Sequence, residues 1–292
     1  MNRKEFFLLT MVPEKIYRYQ KFSALSLNAL CIDQLYFSDP AAFNDPLDCK
    51  PSVEQDSDKK TLSLILSGLI KKRVEQDVLA SLKIAKIEGD QGKVHAKQQA
   101  LQSAEYELCN IAYHATNPEY KMSTEEAECW LLTLEIQSEL LKQNNRGVCC
   151  LSAEYDNPLL WSHYGDQHNG FCVGYSLERN PKPIIHEVLY GGIRTVKTSL
   201  IAQAILNNDI CSQKELDDNI LLSKALPWNY EKEWRILGRI GLQDSPLLLE
   251  EITFGLRCSG AVIHAVMAAL KPRDITFYRM HEERKRGHVK KK

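Results

Sequence analysis

Hydrophobic and polar positions change their spacing several times along this chain. The short segments KIYRY at 15–19 and QLYFS at 34–38, rich in apolar and aromatic residues, predict two strands, with a short helix at 23–29 between them. From about residue 54 to 145 the apolar residues recur with helical periodicity. Within that block Ser123 precedes Glu126 by three positions, a capping-box spacing that predicts the start of its last helix.

Strand-like patterns return after Gly147 and supply most of a predicted sheet. The predicted strands are VCCLS at 148–152, GFCVGYS at 170–176, HEVLY at 186–190, EWRILG at 233–238, ITFG at 252–255 and DITFYRM at 274–280. A helical stretch at about 198–226 and a helix from a Ser259 cap to Leu270 lie among them.

These elements predict an α+β fold with a mixed, mostly antiparallel central sheet and a large helical insertion. The predicted core domain comprises residues 1–53 and 146–280, and the insertion comprises 54–145. Residues 281–292 form a basic tail, which we expect to be a solvated, frayed end.

Composition narrows the function classes. The net charge of -1 gives no general attraction to nucleic acid or to an anionic membrane, so any polyanion site must be local. Nine irregularly spaced cysteines without a CxxC pair favour reduced thiols over a disulfide framework or a zinc site. The apolar stretch near the N-terminus is too short for a signal-peptide core or a membrane span. We therefore expect a soluble, cytoplasmic protein with no membrane partner.

Two separated segments concentrate ionisable and aromatic residues, WSHYGDQHNGFCVGYS at 161–176 and WNYEKEWRIL at 228–237. Buried charges must be paired or neutralised, so we predict that both segments face one cleft. On a strand, Glu231 and Glu233 share one face. Their repulsion raises one pKa unless Arg235 and another arginine hold both ionised, and an exposed charge ladder is the structural alternative. The other candidates from these segments are Trp161, His163, Tyr164 and His168.

Two further candidates lie near the N-terminus. Arg18 offers a planar fork for a pyrophosphate or, alternatively, an ion pair with Glu233. Asn44 and Asp45 lie between two prolines, in a loop that either clamps a ribose or forms only a structural corner. His163 and His168 lack helical pairing and an evident third ligand, so no metal site is predicted.

The segments LYFSDPAAFNDPLD, CLSAEYDNPLLWSHYGDQHNGFCVGYS and YEKEWRI occur here in the order found in the bacterial domain-of-unknown-function 2971 family, which the chain resembles. The resemblance covers nearly everything outside the helical insertion. It implies no chemistry and only locates the expected site.

The chain also resembles the ADP-ribosyltransferase superfamily through the order Arg18, Tyr164, Glu233 and through DNPLLWSHY. This resemblance implies an ADP-ribosyltransferase-like fold with NAD as a substrate. The implied catalytic residues are Glu233, Tyr164 and Arg18. Those implied to hold NAD are Arg18, Trp161, His163, Tyr164, Asn44 and Asp45, with Glu231, Arg235 and His168 nearby.

The preferred hypothesis is NAD-dependent ADP-ribosyl transfer to a nucleic acid or protein, as a bacterial toxin or phage-defence effector with a neutralising or regulatory partner. Its chemistry would use a carboxylate to stabilise a developing oxocarbenium ion. The alternative is a non-catalytic ligand- or protein-binding sensing module in which the same charges form an internal ion-pair network. A nuclease is a third reading, weakened by the lack of clustered acidic ligands.

Overall fold

The computed structural model describes residues 12–87, 89–143, 146–192, 194–283 and 288–291. The apolar N-terminal stretch and tail residues 284–287 and 292 lie outside these ranges. The chain divides into two compact units. The first, which we call the sheet unit, comprises residues 1–43, 146–190 and 224–292, and the second, the helical unit, comprises 44–145 and 191–223. The predicted insertion lies within the helical unit, which also takes in residues 191–223.

The strands are β1 (Lys15–Gln20), β2 (Gln34–Phe37), β3 (Ser52–Glu54), β4 (Arg146–Ser152), β5 (Phe171–Ser176), β6 (His186–Glu187), β7 (Leu189–Tyr190), β8 (Thr195–Lys197), β9 (Ser223–Lys224), β10 (Glu233–Arg239), β11 (Gly241–Asp244), β12 (Leu248–Phe254), β13 (Thr276–Glu283) and β14 (His288–Lys291). The α-helices are α1 (Ala24–Cys31), α2 (Lys59–Ile84), α3 (Asp90–His114), α4 (Thr124–Gln143), α5 (Pro158–His163), α6 (Thr198–Ile205), α7 (Ile210–Leu221) and α8 (Gly260–Leu270).

The central sheet has eight strands in the order β14-β13-β12-β5-β1-β4-β10-β6. Its neighbouring strands are antiparallel except for β12 and β13, which run parallel. The predicted α+β class with a mixed, mostly antiparallel sheet is therefore confirmed. The expected frayed end is wrong for residues 288–291, because they pair with β13 as strand β14.

One face of the sheet carries the main hydrophobic core. Alternation of side chains along the strands sends Ile16, Val173 and Ile252 to this face. Helices α1 and α8 cover it through Leu30, Val266 and other apolar residues. The opposite face carries a smaller and more aromatic cluster of Tyr17, Tyr19, Leu160, Trp161, Cys172 and Met280. The candidate functional residues lie mainly on this second face.

Helix α5 lies between strands β4 and β5, in a region for which no element was predicted. Asn157 caps it, since its side chain accepts a hydrogen bond from the Leu159 amide, and Pro158 occupies the first helical position. Trp161 and His163 therefore project from a short helix. Beyond it, HEVLY breaks into β6 and β7 at the buried Val188.

The helical unit is built on α2, α3 and α4, with α6, α7 and the parallel pair β3–β8. The capping box predicted for α4 is confirmed: the Ser123 amide donates to Glu126 and the Glu126 amide donates to the Ser123 hydroxyl. No helix in the part of the chain that the structure describes is long and apolar enough to cross a membrane.

Two nearby glycines differ in the space around them, and we predict opposite effects of adding a methyl group. A Cβ on Gly255 would lie 2.2 Å from the backbone oxygen of His168, whereas a Cβ on Gly260 would meet nothing within 4 Å. Gly255→Ala should lower the free energy of unfolding by roughly 1–3 kcal/mol through overpacking. Gly260→Ala, at the start of α8, should leave it unchanged or raise it. Urea denaturation measures the free energy of unfolding of both variants. Equal changes in the two would contradict the close approach of Gly255 to the His168 backbone.

Candidate functional site

Four charged side chains form a buried cluster at the start of β10, which we call the ion-pair network: Lys224, Glu231, Glu233 and Arg235. They are only 0 to 4% exposed. Lys224 Nζ lies 2.5 Å from Glu231 Oε2 and 3.0 Å from Glu233 Oε2. Arg235 binds Glu233 through two nitrogens, at 2.8 and 3.1 Å. The two positive and two negative charges match, as burial in a low dielectric requires.

Local backbone geometry brings the two carboxylates together. Glu231 ends a 3₁₀ helix at Leu226–Glu231, and Lys232 has a left-handed φ of 44° before β10 begins. Glu231 is therefore not on a strand, contrary to the sequence-based expectation. The Ser152 hydroxyl donates to the Glu231 carbonyl at 2.6 Å, which ties this turn to β4. Both carboxylates reach Lys224 although they come from different elements.

The environments of the two carboxylates move their pKa values in opposite directions. Burial is the largest effect on both and opposes ionisation. At Glu233 the charges of Arg235 and Lys224 outweigh burial and lower the pKa to about 2. At Glu231 burial outweighs the attraction of Lys224, so the pKa is raised. Glu233 is thus a fixed anion, and Glu231 is the member of the pair suited to exchange a proton.

Next to the ion-pair network lies a group of partly exposed rings, which we call the aromatic surface: His163, Tyr164, Trp228 and Tyr230. The Tyr164 hydroxyl donates to Glu231 Oε1 at 2.8 Å, and Lys224 Nζ lies 5.0 Å from the centre of the Trp228 ring. The Tyr230 ring centre is 6.0 Å from that of Trp228 and 6.4 Å from that of His163. The ion-pair network therefore contacts two rings of the aromatic surface, Tyr164 and Trp228, and fixes their positions.

Trp161 and His168 have structural surroundings. Trp161 is fully buried, donates from Nε1 to the Tyr155 carbonyl at 2.9 Å, and stacks on His168 with ring centres 5.5 Å apart. Burial and then the charge of Arg257 lower the His168 pKa. The His168 Nδ1 atom is buried and has no hydrogen-bond partner among the described residues. Trp161 therefore belongs to the packing of the smaller aromatic cluster, and His168 stacks on it.

Arg18 does not join Glu233. Tyr17 and Glu233 are both in register with Ser152, so these three residues point to one face of the sheet. Arg18, the next residue after Tyr17, points to the opposite face. There its guanidinium donates to Cys149 Sγ at 3.4 Å and to the Tyr36 carbonyl at 2.9 Å. This register corrects the expectation that Arg18 and Glu233 act together, either as catalytic residues of one site or as an ion pair.

Asn44 and Asp45 belong to the helical unit. Asp45 Oδ1 accepts a hydrogen bond from the Leu47 amide at 2.9 Å, and the Asp45 carbonyl accepts one from the Asp48 amide. These bonds form an Asx-type turn, which favours the structural corner over the ribose clamp.

Sequence reasoning missed Lys224, and it identified the segment 228–237 without selecting Trp228 or Tyr230 as site residues. The signal for Lys224 was the charge count, since two buried carboxylates and Arg235 alone would leave one negative charge unmatched. In the described part of the chain, no group of three or more His, Cys, Asp or Glu side chains is arranged to hold a metal ion.

Comparison with known proteins gives one family match. Residues 160–236 match the model of a family described as a protein of unknown function, DUF2971. The resemblance read from the sequence is thereby confirmed over this range, which includes the whole ion-pair network and the aromatic surface. Neither a curated protein nor a solved structure matches the chain.

Removing the Glu233 carboxylate leaves Lys224 and Arg235 short of one buried negative charge. We predict that Glu233→Gln lowers the free energy of unfolding at pH 7 by about 3–5 kcal/mol. Glu178→Gln, at an exposed glutamate of the same unit, should change it by less than about 0.5 kcal/mol. If urea denaturation shows equally small changes for both variants, the ion pairs of Glu233 contribute nothing to the free energy of unfolding.

The same variant tests the lowered pKa. A carboxyl whose folded pKa lies below its unfolded value of 4.5 contributes stability above pH 4.5, and this is lost as the pH falls toward 2. The difference in unfolding free energy between wild type and Glu233→Gln should therefore narrow from pH 5 downward. A difference that stays constant over this range would contradict the lowered pKa.

Three consecutive residues before β5, Asp166, Gln167 and His168, have left-handed φ values of 53°, 52° and 70°. Each such residue with a side chain costs about 1–2 kcal/mol, which glycine largely avoids. Gln167 is exposed, so its replacement removes no buried contact. Glycine also increases the conformational entropy of the unfolded chain, which offsets part of the relief of strain. Gln167→Gly should therefore raise the free energy of unfolding by roughly 0.5–1 kcal/mol. Thermal unfolding checks this, and a lower midpoint would contradict the strained turn.

Proposed function

We propose that this chain, which carries a DUF2971 region at residues 160–236, is a non-catalytic binding module that recognises a planar ligand on the aromatic surface. One observation carries the proposal. Every charge of the ion-pair network already has an opposite charge within 3.1 Å, while the rings beside it remain partly exposed. The charges support the surface, and the partly exposed rings present faces to a ligand.

The chemistry of the aromatic surface selects the ligand class. Its four rings offer faces for stacking, and the matched network beneath adds no net charge that would favour an ion. The Tyr164 hydroxyl is already engaged with Glu231, which leaves the exposed His163 imidazole as a polar contact at the edge. A neutral heteroaromatic ring such as a nucleobase fits these properties.

Removal of one ring tests the binding proposal. We expect Trp228→Ala to weaken binding of adenosine about tenfold or more, since stacking of a base on an aromatic side chain contributes about 1–3 kcal/mol. Trp130→Ala, at a partly exposed tryptophan of the helical unit, is the matched control and should bind adenosine as wild type does. Calorimetric titration measures both affinities. Loss of binding in both variants, or in neither, would contradict recognition by the aromatic surface.

Transfer of ADP-ribose from NAD to a nucleic acid or protein is the second candidate, favoured by the hydrogen bond from Tyr164 to Glu231. In this reading Glu231 takes the place first given to Glu233, because Glu233 is held by both cations of the network. Its carboxylate would face the nicotinamide ribose while the nicotinamide ring stacks on the aromatic surface. A toxin or phage-defence role with a neutralising partner belongs to this candidate.

Incubation with NAD separates the two candidates. The binding module should leave NAD intact, with no free nicotinamide detected by mass spectrometry. Release of nicotinamide by wild type, and its loss in a folded Glu231→Gln variant, would replace the binding proposal with the transferase. Release that persists in Glu231→Gln would contradict the role given to Glu231 in the second candidate.

A further inference from the structure

The helical unit contains a groove that is separate from the residues discussed so far. It has a volume of about 430 Å³ and is lined by side chains of α2, α3 and α4. Its lining residues recur three or four positions apart on each helix, as Ile70 and Val74 do on α2 and Glu135 and Glu139 on α4. The volume lies within the range of roughly 300–1,000 Å³ that is typical of small-molecule sites.

The positive charges of the groove are already paired. Arg73 forms a bidentate ion pair with the buried Glu139, with Nε–Oε2 at 2.8 Å and Nη2–Oε1 at 3.0 Å. Lys142 Nζ lies 2.9 Å from Glu139 Oε1 and 2.8 Å from Glu135 Oε1. An anionic ligand would have to compete with these carboxylates for both cations, so the groove is a poor anion site.

One carboxylate that lines the groove is left without a cation to pair with. The groove has two cations, Arg73 and Lys142, and three carboxylates, Glu107, Glu135 and Glu139, which leaves one negative charge in excess. Arg73 is shared further with Asp77, at 3.5 Å. Among the described residues, Glu107 has no ion-pair partner within 4 Å. Glu107 is therefore the group to which a cation would bind.

The uncharged part of the lining combines two apolar side chains and one aromatic ring with the polar Gln102 and Ser103. Ile70 and Val74 provide an apolar strip on α2, and Tyr106, which is 69% exposed, precedes Glu107 on α3. A tyrosine ring attracts a cation placed over its face, most strongly when the cation is partly desolvated. An ammonium group thus finds both a carboxylate and a ring, and an attached hydrocarbon finds an apolar strip.

We propose that this groove binds an amphiphilic organic cation, with its ammonium group against Glu107 and Tyr106 and its apolar body over Ile70 and Val74. The site lies wholly within the helical unit and does not depend on the function assigned to the aromatic surface.

Titration of the full chain with 2-phenylethylammonium, observed by NMR and calorimetry, tests this site, and 2-phenylethanol serves as a ligand of similar shape without the charge. The cation should bind with millimolar or better affinity, and the alcohol should bind at least tenfold more weakly. Glu107→Gln should weaken binding of the cation at least tenfold. The control Glu105→Gln, at an exposed glutamate on the same helix, should bind as wild type does.

Several results would overturn the proposal. Equal binding of the cation and the alcohol would show that charge plays no part. Wild-type affinity in Glu107→Gln, or an equal loss in Glu105→Gln, would show that Glu107 is not the recognising group. Absence of binding at millimolar cation would show that the groove does not take this class of ligand. Both variants change surface carboxylates, and their thermal midpoints verify that they are folded.

Discussion

Burial of four charges on one face of the central sheet is the constraint on which the candidate site depends. Desolvation opposes each charge separately, so the arrangement is stable only when each member contacts an opposite charge. Arg235 supplies the fork to Glu233, and Lys224 bridges Glu231 and Glu233. This requirement fixes the 3₁₀ turn against β4 and, through the hydrogen bond of Tyr164 to Glu231, one ring of the aromatic surface.

The alternation of side chains across a strand decides which candidates can act together. Because Tyr17, Ser152 and Glu233 are in register, Arg18 must lie on the other face, among the residues that pack under α1 and α8. A shift of one residue in register would exchange the two faces and place Arg18 with Glu233. A sequence in which both residues lie on strands therefore does not establish that they share a cleft.

Much of the architecture follows from local sequence signals. The α+β class, most strands and the caps at Ser123 and Ser259 could be predicted, because periodicity and capping depend on residues close in sequence. Short strands such as β3 and β8 were not predicted, since three residues carry little periodicity. Lys224 was missed for another reason: although its partners are seven and nine residues away, both carboxylates reach it only through the turn at Lys232, which has no helical or strand periodicity.

Glu233 acts as a structural anion that stays ionised at pH 4 and above, whereas Glu231 keeps a raised pKa beside the aromatic surface. Carbon-13 NMR of the glutamate carboxyl groups, assigned with Glu231→Gln and Glu233→Gln, measures both titrations in the folded chain. We expect the Glu233 carboxyl to remain ionised from pH 8 down to pH 4 and the Glu231 carboxyl to titrate above pH 4.5. Titration of Glu233 at pH 4.5 or above would show that its ion pairs do not hold it ionised, and titration of Glu231 below pH 4.5 would show that burial does not raise its pKa.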